Sequence, residues 1–221
     1  GLPSVAVRLP ANGIARAVIR AAGLPIAAPS ANPFGYLSPT RADHVARMLG
    51  ERVDLIVDGG PCPIGVESTV LDATSEPFTV LRPGGMPVES IEELVGPVEI
   101  LDRSVATPTS PGQLPSHYAP RTPLYLFPRG GLAAARPRGR AAVLLFDQAA
   151  LAALEAAGRA GDYAERRLLA PDGGLIEAAA SLFAELHELD QGGFDAIYAE
   201  RLPETGLGRA VNDRLYKASE K

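Results

Sequence analysis

Ala142-Val143-Leu144-Leu145-Phe146, running straight into the helical pattern of Gln148–Ala157, is the stretch that decides the fold class. An apolar run of strand length followed by a pattern of helix length is the strand–helix alternation of a parallel sheet. The alternation continues on both sides. Strands are expected at Leu124–Phe127 and Ala196–Tyr198, and helices at Leu175–Leu189 and about Leu207–Ala218. Residues 124–221 therefore read as a small parallel-sheet α/β domain.

Upstream, from Glu99 to about Pro123, the pattern dissolves into Pro, Ser and Thr, which predicts a linker over residues 99–123. Its middle carries Ser110-Pro111-Gly112 and His117-Tyr118-Ala119-Pro120, groups a passive spacer does not need. Residues 1–98 form another α/β segment. Strands are expected at Ser4–Leu9, Leu24–Ala28 and Val53–Val57, and a helix over Ile14, Ala17, Val18 and Ala21 that stops at Gly23. A second helix is expected from Ser38-Pro39-Thr40, with Thr40 and Asp43 spaced as a capping pair, to Gly50. Ser68–Leu71 and Phe78–Leu81 predict two strands joined by the turn Thr74-Ser75-Glu76-Pro77. Ile91, Leu94 and Val95 mark a short helix.

The composition, with 46% apolar and 21% charged residues in 221, is that of a globular protein with enough apolar surface for a core. No apolar stretch is long enough to cross a bilayer, no signal peptide opens the chain, and Cys62 has no partner for an internal disulfide. A cytoplasmic protein with no membrane association is the expectation. The chain begins with Gly1 rather than methionine, as a processed, tagged or truncated chain would. The net charge of −5 disfavours a protein whose main task is to hold nucleic acid. Residues 1–98 contain seven arginines, no lysine and ten acidic residues, 7 − 10 = −3, so direct RNA binding is disfavoured there too. The only lysines are Lys217 and Lys221, so an anion site earlier in the chain must use arginine, hydroxyls or backbone N–H groups.

Three clusters could carry chemistry. Ala28-Pro29-Ser30-Ala31-Asn32, with Ser38-Pro39-Thr40 at a helix start, has the geometry of an anion site, though a cap and a turn would use the same residues. Gly65-Val66-Glu67-Ser68-Thr69-Val70 places hydroxyls beside a carboxylate, suited to a small polar substrate or a metal ion, or simply to a strand start. Leu81-Arg82-Pro83-Gly84-Gly85, like Val7-Arg8-Leu9-Pro10, carries an arginine out of an apolar strand, where it can reach a phosphate or carboxylate or stand in solvent. His44, His117 and His187 are too scattered for a zinc site, and no hydrolase elbow, Walker sequence or metalloprotease helix is present.

Taken in order, Val5–Pro10, Ala28–Asn32, Ser38–Thr40, Asp58-Gly59-Gly60, Gly65–Val70 and Leu81–Gly84 resemble the second half of the Sua5/YrdC family domain. The segments Ser110-Pro111-Gly112 and His117–Pro120 resemble the interdomain linker of the Sua5 branch, and Gly206–Leu215 the end of its extra carboxyl-terminal domain. The resemblance implies the carboxyl-terminal part of a YrdC-like twisted mixed sheet over 1–98, the linker or lid over 99–123, and a small Rossmann-like α/β domain over 124–221. It implies formation of threonylcarbamoyl-AMP and pyrophosphate from L-threonine, bicarbonate or CO2, and ATP with Mg2+. Downstream tRNA threonylcarbamoyl-transfer proteins would use that product to form N6-threonylcarbamoyladenosine (t6A) at tRNA position 37. By the same resemblance, Arg8 and Ser68 would contact threonine. Ser30, Ser38 and Arg82 would contact ATP with Asn32 close by, and His117 or Tyr118 would close over the nucleotide. No residue would act as a covalent catalyst. The family domain normally begins about a hundred residues earlier with a basic Lys/Arg cluster, so these residues are expected to be part of a longer polypeptide. A catalytically incomplete nucleotide- or RNA-binding member of the same family is the competing expectation.

Overall fold

A computed structural model describes residues 4–74, 76–101 and 117–220. The described residues fall into two compact units, one within Gly1–Pro33 and Ser38–Cys62, the other within Phe34–Leu37 and Pro63–Lys221.

In the first unit, α1 (Gly13–Ala22) starts where Asn12 Oδ1 accepts from the Ala15 N–H at 3.0 Å. It stops at Gly23, whose φ of 63° turns its N–H back onto the Ile19 and Arg20 carbonyls. The second helix, α2 (Ala42–Leu49), begins later than the Thr40–Asp43 pair predicts, and Arg41 stands at its cap with no side-chain cap bond. Competing partners explain the shift. The Thr40 N–H donates to Nδ1 of His44 at 3.2 Å, while Asp43 pairs with Arg41 at 3.0 Å and Arg47 at 2.8 Å. The strands expected at Ser4–Leu9, Leu24–Ala28 and Val53–Val57 do not form among the described residues. Their alternating apolar side chains stand in solvent instead, with Val5, Val7 and Leu9 at 83%, 88% and 81% exposure. A strand exists only through a hydrogen-bonded neighbour, and none of these segments pairs with a described strand.

The second unit holds two sheets. In the smaller, β1 (Val70–Asp72) pairs antiparallel with β2 (Thr79–Arg82), as the hairpin pattern predicts. The helix α3 (Val88–Val95) packs Val88 and Ile91 against Val80 of β2. At the start of the expected linker, β3 (Glu99–Ile100) adds a parallel edge to β2. Most of the expected linker, residues 102–116 with Ser110-Pro111-Gly112, lies outside the described residues.

The larger sheet contains β4 (Leu124–Phe127), β5 (Ala141–Leu145), β6 (Glu165–Leu168) and β7 (Ala196–Glu200), all parallel in the order β4-β7-β5-β6. Between and after these strands come α4 (Gln148–Ala156), α5 (Leu175–Gln191) and α6 (Leu207–Ser219). β5 is buried along its whole length because its alternate side chains face two cores. Ala142 and Leu144 meet α5 and α6, whereas Ala141, Val143 and Leu145 meet Leu154 of α4 and Tyr163. β6, Glu165-Arg166-Arg167-Leu168, escapes the sequence pattern because it is a polar edge strand. Among the described residues no helix is long and apolar enough to cross a membrane.

Tyr163 supplies a stability prediction. It is 2% exposed, its hydroxyl has no hydrogen-bond partner among the described residues, and burial, with Tyr198 adding to it, pushes its pKa from 10.0 up to about 12. Tyr163→Phe is expected to stabilise the fold by about 1 kcal/mol by removing an unsatisfied buried group. The unfolded phenol ionises near 10 and the folded one only near 12, so wild-type stability should fall as pH climbs through that window. Urea unfolding of both proteins at roughly neutral pH and about pH 11 checks this, and the variant should lack the Tyr163 part of the alkaline loss.

Candidate active site

Two loops of the second unit interlock. The Gly85 N–H donates to the Glu67 carbonyl at 2.8 Å, and Arg82 Nη2 donates to the Ser68 carbonyl at 2.8 Å. The Thr69 hydroxyl donates to the Met86 carbonyl at 2.6 Å and accepts from the Met86 N–H at 3.1 Å. Gly84 lies so close that a Cβ there would sit 2.3 Å from Glu67 O, Ser68 C and Thr69 N. The Ser68 backbone is thus gripped from behind, while the residue itself is exposed. A hydroxyl presented on immobilised backbone is preorganised for a polar ligand.

Behind these loops stands a buried charged cluster on α6. Arg214, fully buried, donates from Nε to Glu67 Oε2 at 3.0 Å and from Nη1 to the Pro83 carbonyl at 2.6 Å. Its Nη2 lies 2.9 Å from Glu67 Oε2, and Nη1 lies 3.0 Å from Asp213 Oδ2. Asp213 also takes Lys217 Nζ at 2.8 Å. The Arg214 guanidinium sits 5.4 Å from the Tyr118 ring centroid, a cation–π distance. The His117 N–H donates to the Lys217 carbonyl at 3.3 Å, so α6 also holds the described end of the linker.

The electrostatics follow from this enclosure. Burial works to lower the pKa of Arg214, but Glu67, Tyr118 and Asp213 outweigh it and leave the value raised. Burial, then the neighbouring Arg214 cation, lowers the pKa of Arg82, although a guanidinium stays charged at any working pH. Burial also lowers the pKa of Lys217, against the pull of Asp213. Burial lowers the His117 pKa, opposed by Glu67 and assisted by Lys217, Arg214 and Arg82, so the imidazole is neutral at neutral pH. Its Nδ1 is buried and makes no hydrogen bond among the described residues. Arg82, Arg214 and Lys217 against Glu67 and Asp213 leave 3 − 2 = +1, a local charge suited to an anion.

The expected site residues are divided between the units. Ser68, Arg82, His117 and Tyr118 gather around the α6 cluster in the second unit. Arg8, Ser30, Asn32 and Ser38 belong to the first. There Arg8 and Ser30 are exposed, Asn32 Nδ2 donates to the Pro33 carbonyl at 3.0 Å, and Ser38 is buried. Tyr118 is 1% exposed, with its ring 5.5 Å from that of Phe183, and anchors the end of the linker in the core. The Glu67 carboxylate is engaged by Arg214 rather than open to a metal ion. Among the described residues no three His, Cys, Asp or Glu groups could hold a metal. His187 is buried in α5 with its ring 5.8 Å from that of Tyr36, a packing role. The sequence reading missed Asp213, Arg214 and Lys217 as part of this constellation. Asp213 and Arg214 lie in the Gly206–Leu215 motif, and their density of charge with Lys217, on a helix that packs into a core, was the signal that could have placed them there.

The pattern of the family described as "Threonylcarbamoyl-AMP synthase, C-terminal domain" matches residues 86–220, and that described as "Telomere recombination", the Sua5/YciO/YrdC pattern, matches residues 1–84. The chain is 40% identical to a threonylcarbamoyl-AMP synthase of Bacillus subtilis, over 99% of this chain and 64% of that protein. It is 39% identical to the Pyrococcus abyssi protein of the same name, over 99% of this chain and 65% of that one. The chain thus spans less than two-thirds of the length of these curated relatives. A crystal structure of Pyrococcus abyssi Sua5 complexed with L-threonine superposes with a TM-score of 0.83 at 37% identity, covering 99% of this chain and 65% of that one. Two family patterns in series and a shared fold along nearly every residue lead to one conclusion: the chain belongs to the Sua5/YrdC family, of the two-domain Sua5 type.

Proposed function

We propose that this chain is the greater part of an L-threonylcarbamoyladenylate synthase, a nucleotidyltransferase acting in the cytoplasm. The observation that carries the reading is the exposed Ser68 on its clamped loop, backed by Arg82 and a cluster of net positive charge. Its support is the name of its relatives and the L-threonine in the Pyrococcus abyssi structure.

In this reading the threonine amine attacks CO2 and forms an N–C bond with loss of a proton. The resulting carbamate oxygen attacks the α-phosphorus of ATP, and the bond to the β-phosphate breaks, releasing pyrophosphate. Neither step needs a covalent nucleophile from the protein; both need reactants held in line and phosphate charge neutralised. Ser68 hydrogen-bonds threonine, with Arg8 for its carboxylate. Arg82 and His117 are assigned to ATP, with Mg2+ as the counter-ion it would carry, and the family resemblance alone assigns Ser30, Asn32 and Ser38 to the nucleotide. The product would pass to tRNA threonylcarbamoyl-transfer proteins.

The deciding experiment is ATP-dependent pyrophosphate release by this chain and by the same chain extended upstream to the length of its relatives. Release should require both L-threonine and bicarbonate. ATP binding without release from either chain would select a regulatory nucleotide-binding role instead. Ser68→Ala, which removes an exposed hydroxyl and leaves the clamped backbone intact, is expected to weaken L-threonine binding by roughly tenfold, the worth of one good hydrogen bond. Calorimetric titration with L-threonine reads this, and unchanged affinity would remove Ser68 from the site.

A further inference from the structure

The guanidinium of Arg214 touches the residue next to each of two expected substrate contacts. Glu67 precedes Ser68, and Pro83 follows Arg82; Arg214 holds the carboxylate of the first and the carbonyl of the second. It does so from α6, more than a hundred residues downstream and inside the carboxyl-terminal family domain. The helix is itself fixed, since Asn212 exchanges two hydrogen bonds with Leu202, at 2.8 and 2.9 Å. Asp213 orients Arg214 from beside it and is held in turn by Lys217.

Packing alone does not account for this choice of residue. A fully buried ion pair is weak evidence for stability, because an apolar replacement of similar volume often does as well. A planar fork with five donors offers something an apolar side chain cannot: simultaneous hold on a carboxylate and a backbone carbonyl in one fixed geometry.

We infer that Arg214 is a positioning residue, by which the carboxyl-terminal helix sets the relative placement of the Ser68 and Arg82 loops. The identity of the ligand rests on the synthase reading above; the positioning itself does not. Arg214→Met tests it: the variant takes this partner from the Glu67 carboxylate and the Pro83 carbonyl, while Asp213 keeps Lys217. Glu67→Gln, which preserves shape and weakens the same clamp, decides the matter if the methionine variant does not fold.

The readout is amide hydrogen exchange followed by NMR on the unliganded chain. The Gly85 and Met86 amides, which report the joint between the loops, are expected to exchange at least about tenfold faster in either variant. The Leu169 amide, bonded to Leu145 beside the large sheet, should keep its wild-type rate. Unchanged exchange at Gly85 and Met86, or equal acceleration at Leu169, would overturn the proposal. In the active protein the same variants should raise the threonine KM about tenfold with a smaller effect on kcat, and an unchanged KM despite loosened loops would also overturn it. A wild-type protein that releases no pyrophosphate would instead sink the synthase reading, and the exchange data would still judge Arg214.

Discussion

Replacing Asp213 with alanine is expected to destabilise the protein by about 3–5 kcal/mol, among the largest effects a single substitution can have here. Asp213 is 3% exposed and is the counter-ion of Lys217 at 2.8 Å and a partner of Arg214 at 3.0 Å. Deleting its carboxylate leaves Lys217 buried without that partner and raises the local charge from +1 to +2. For a chain of this length the loss corresponds to a fall in melting temperature of roughly 6–20 °C. Asp213→Asn is expected to cost less, because the amide oxygen can still accept from Arg214 and Lys217. Differential scanning calorimetry of the three proteins checks this. An alanine variant that melts within about 2 °C of wild type would mean that water relaxes into the cluster and screens it.

The second large effect is expected at Gly84. An alanine Cβ there would lie 2.3 Å from backbone atoms of Glu67, Ser68 and Thr69, and no rotamer change can relieve a clash with backbone. Overpacking of this kind costs about 3 kcal/mol, unless the loops separate. Separation would break the Gly85–Glu67 bond and shift the exposed Ser68 hydroxyl, so Gly84→Ala should lose L-threonine binding together with stability. Chemical denaturation and a threonine titration on the same variant read both losses. Full threonine affinity in a destabilised variant would show that the ligand does not depend on the joint between the loops.

How legible these features were in the sequence depends on the range of the forces behind them. The end of helix α1 was legible, because a left-handed glycine is a local device carried by Gly23 itself, whereas the cap at Asn12 came only from the structure. The hairpin of β1 and β2 and the alternation around β5 were legible for the same reason, since strand period and turn residues lie within a few positions of each other. The start of α2 was misplaced because Thr40 and Asp43 found partners in His44, Arg41 and Arg47 that compete with the expected cap. The polar strand β6 was missed because its hydrogen bonds come from β5, and nothing in Glu165-Arg166-Arg167-Leu168 announces them.

The candidate site divides in the same way. The sequence by itself determined the order of motifs, the family they spell, the alternation of the parallel sheet, and the residue types that stand at Ser68 and Arg82. All of these are properties of short segments, where spacing and chemistry are printed together. Only the tertiary structure decided that the Glu67 carboxylate belongs to Arg214 and that Lys217 lies buried beside that pair. It also decided that Tyr118 is buried beside Phe183, and that the two loops touch backbone to backbone at Gly84. Each of these joins residues tens to more than a hundred positions apart. A buried charge chooses its partner from what the fold places within about 3–4 Å of it, and that neighbourhood exists only once the core has closed.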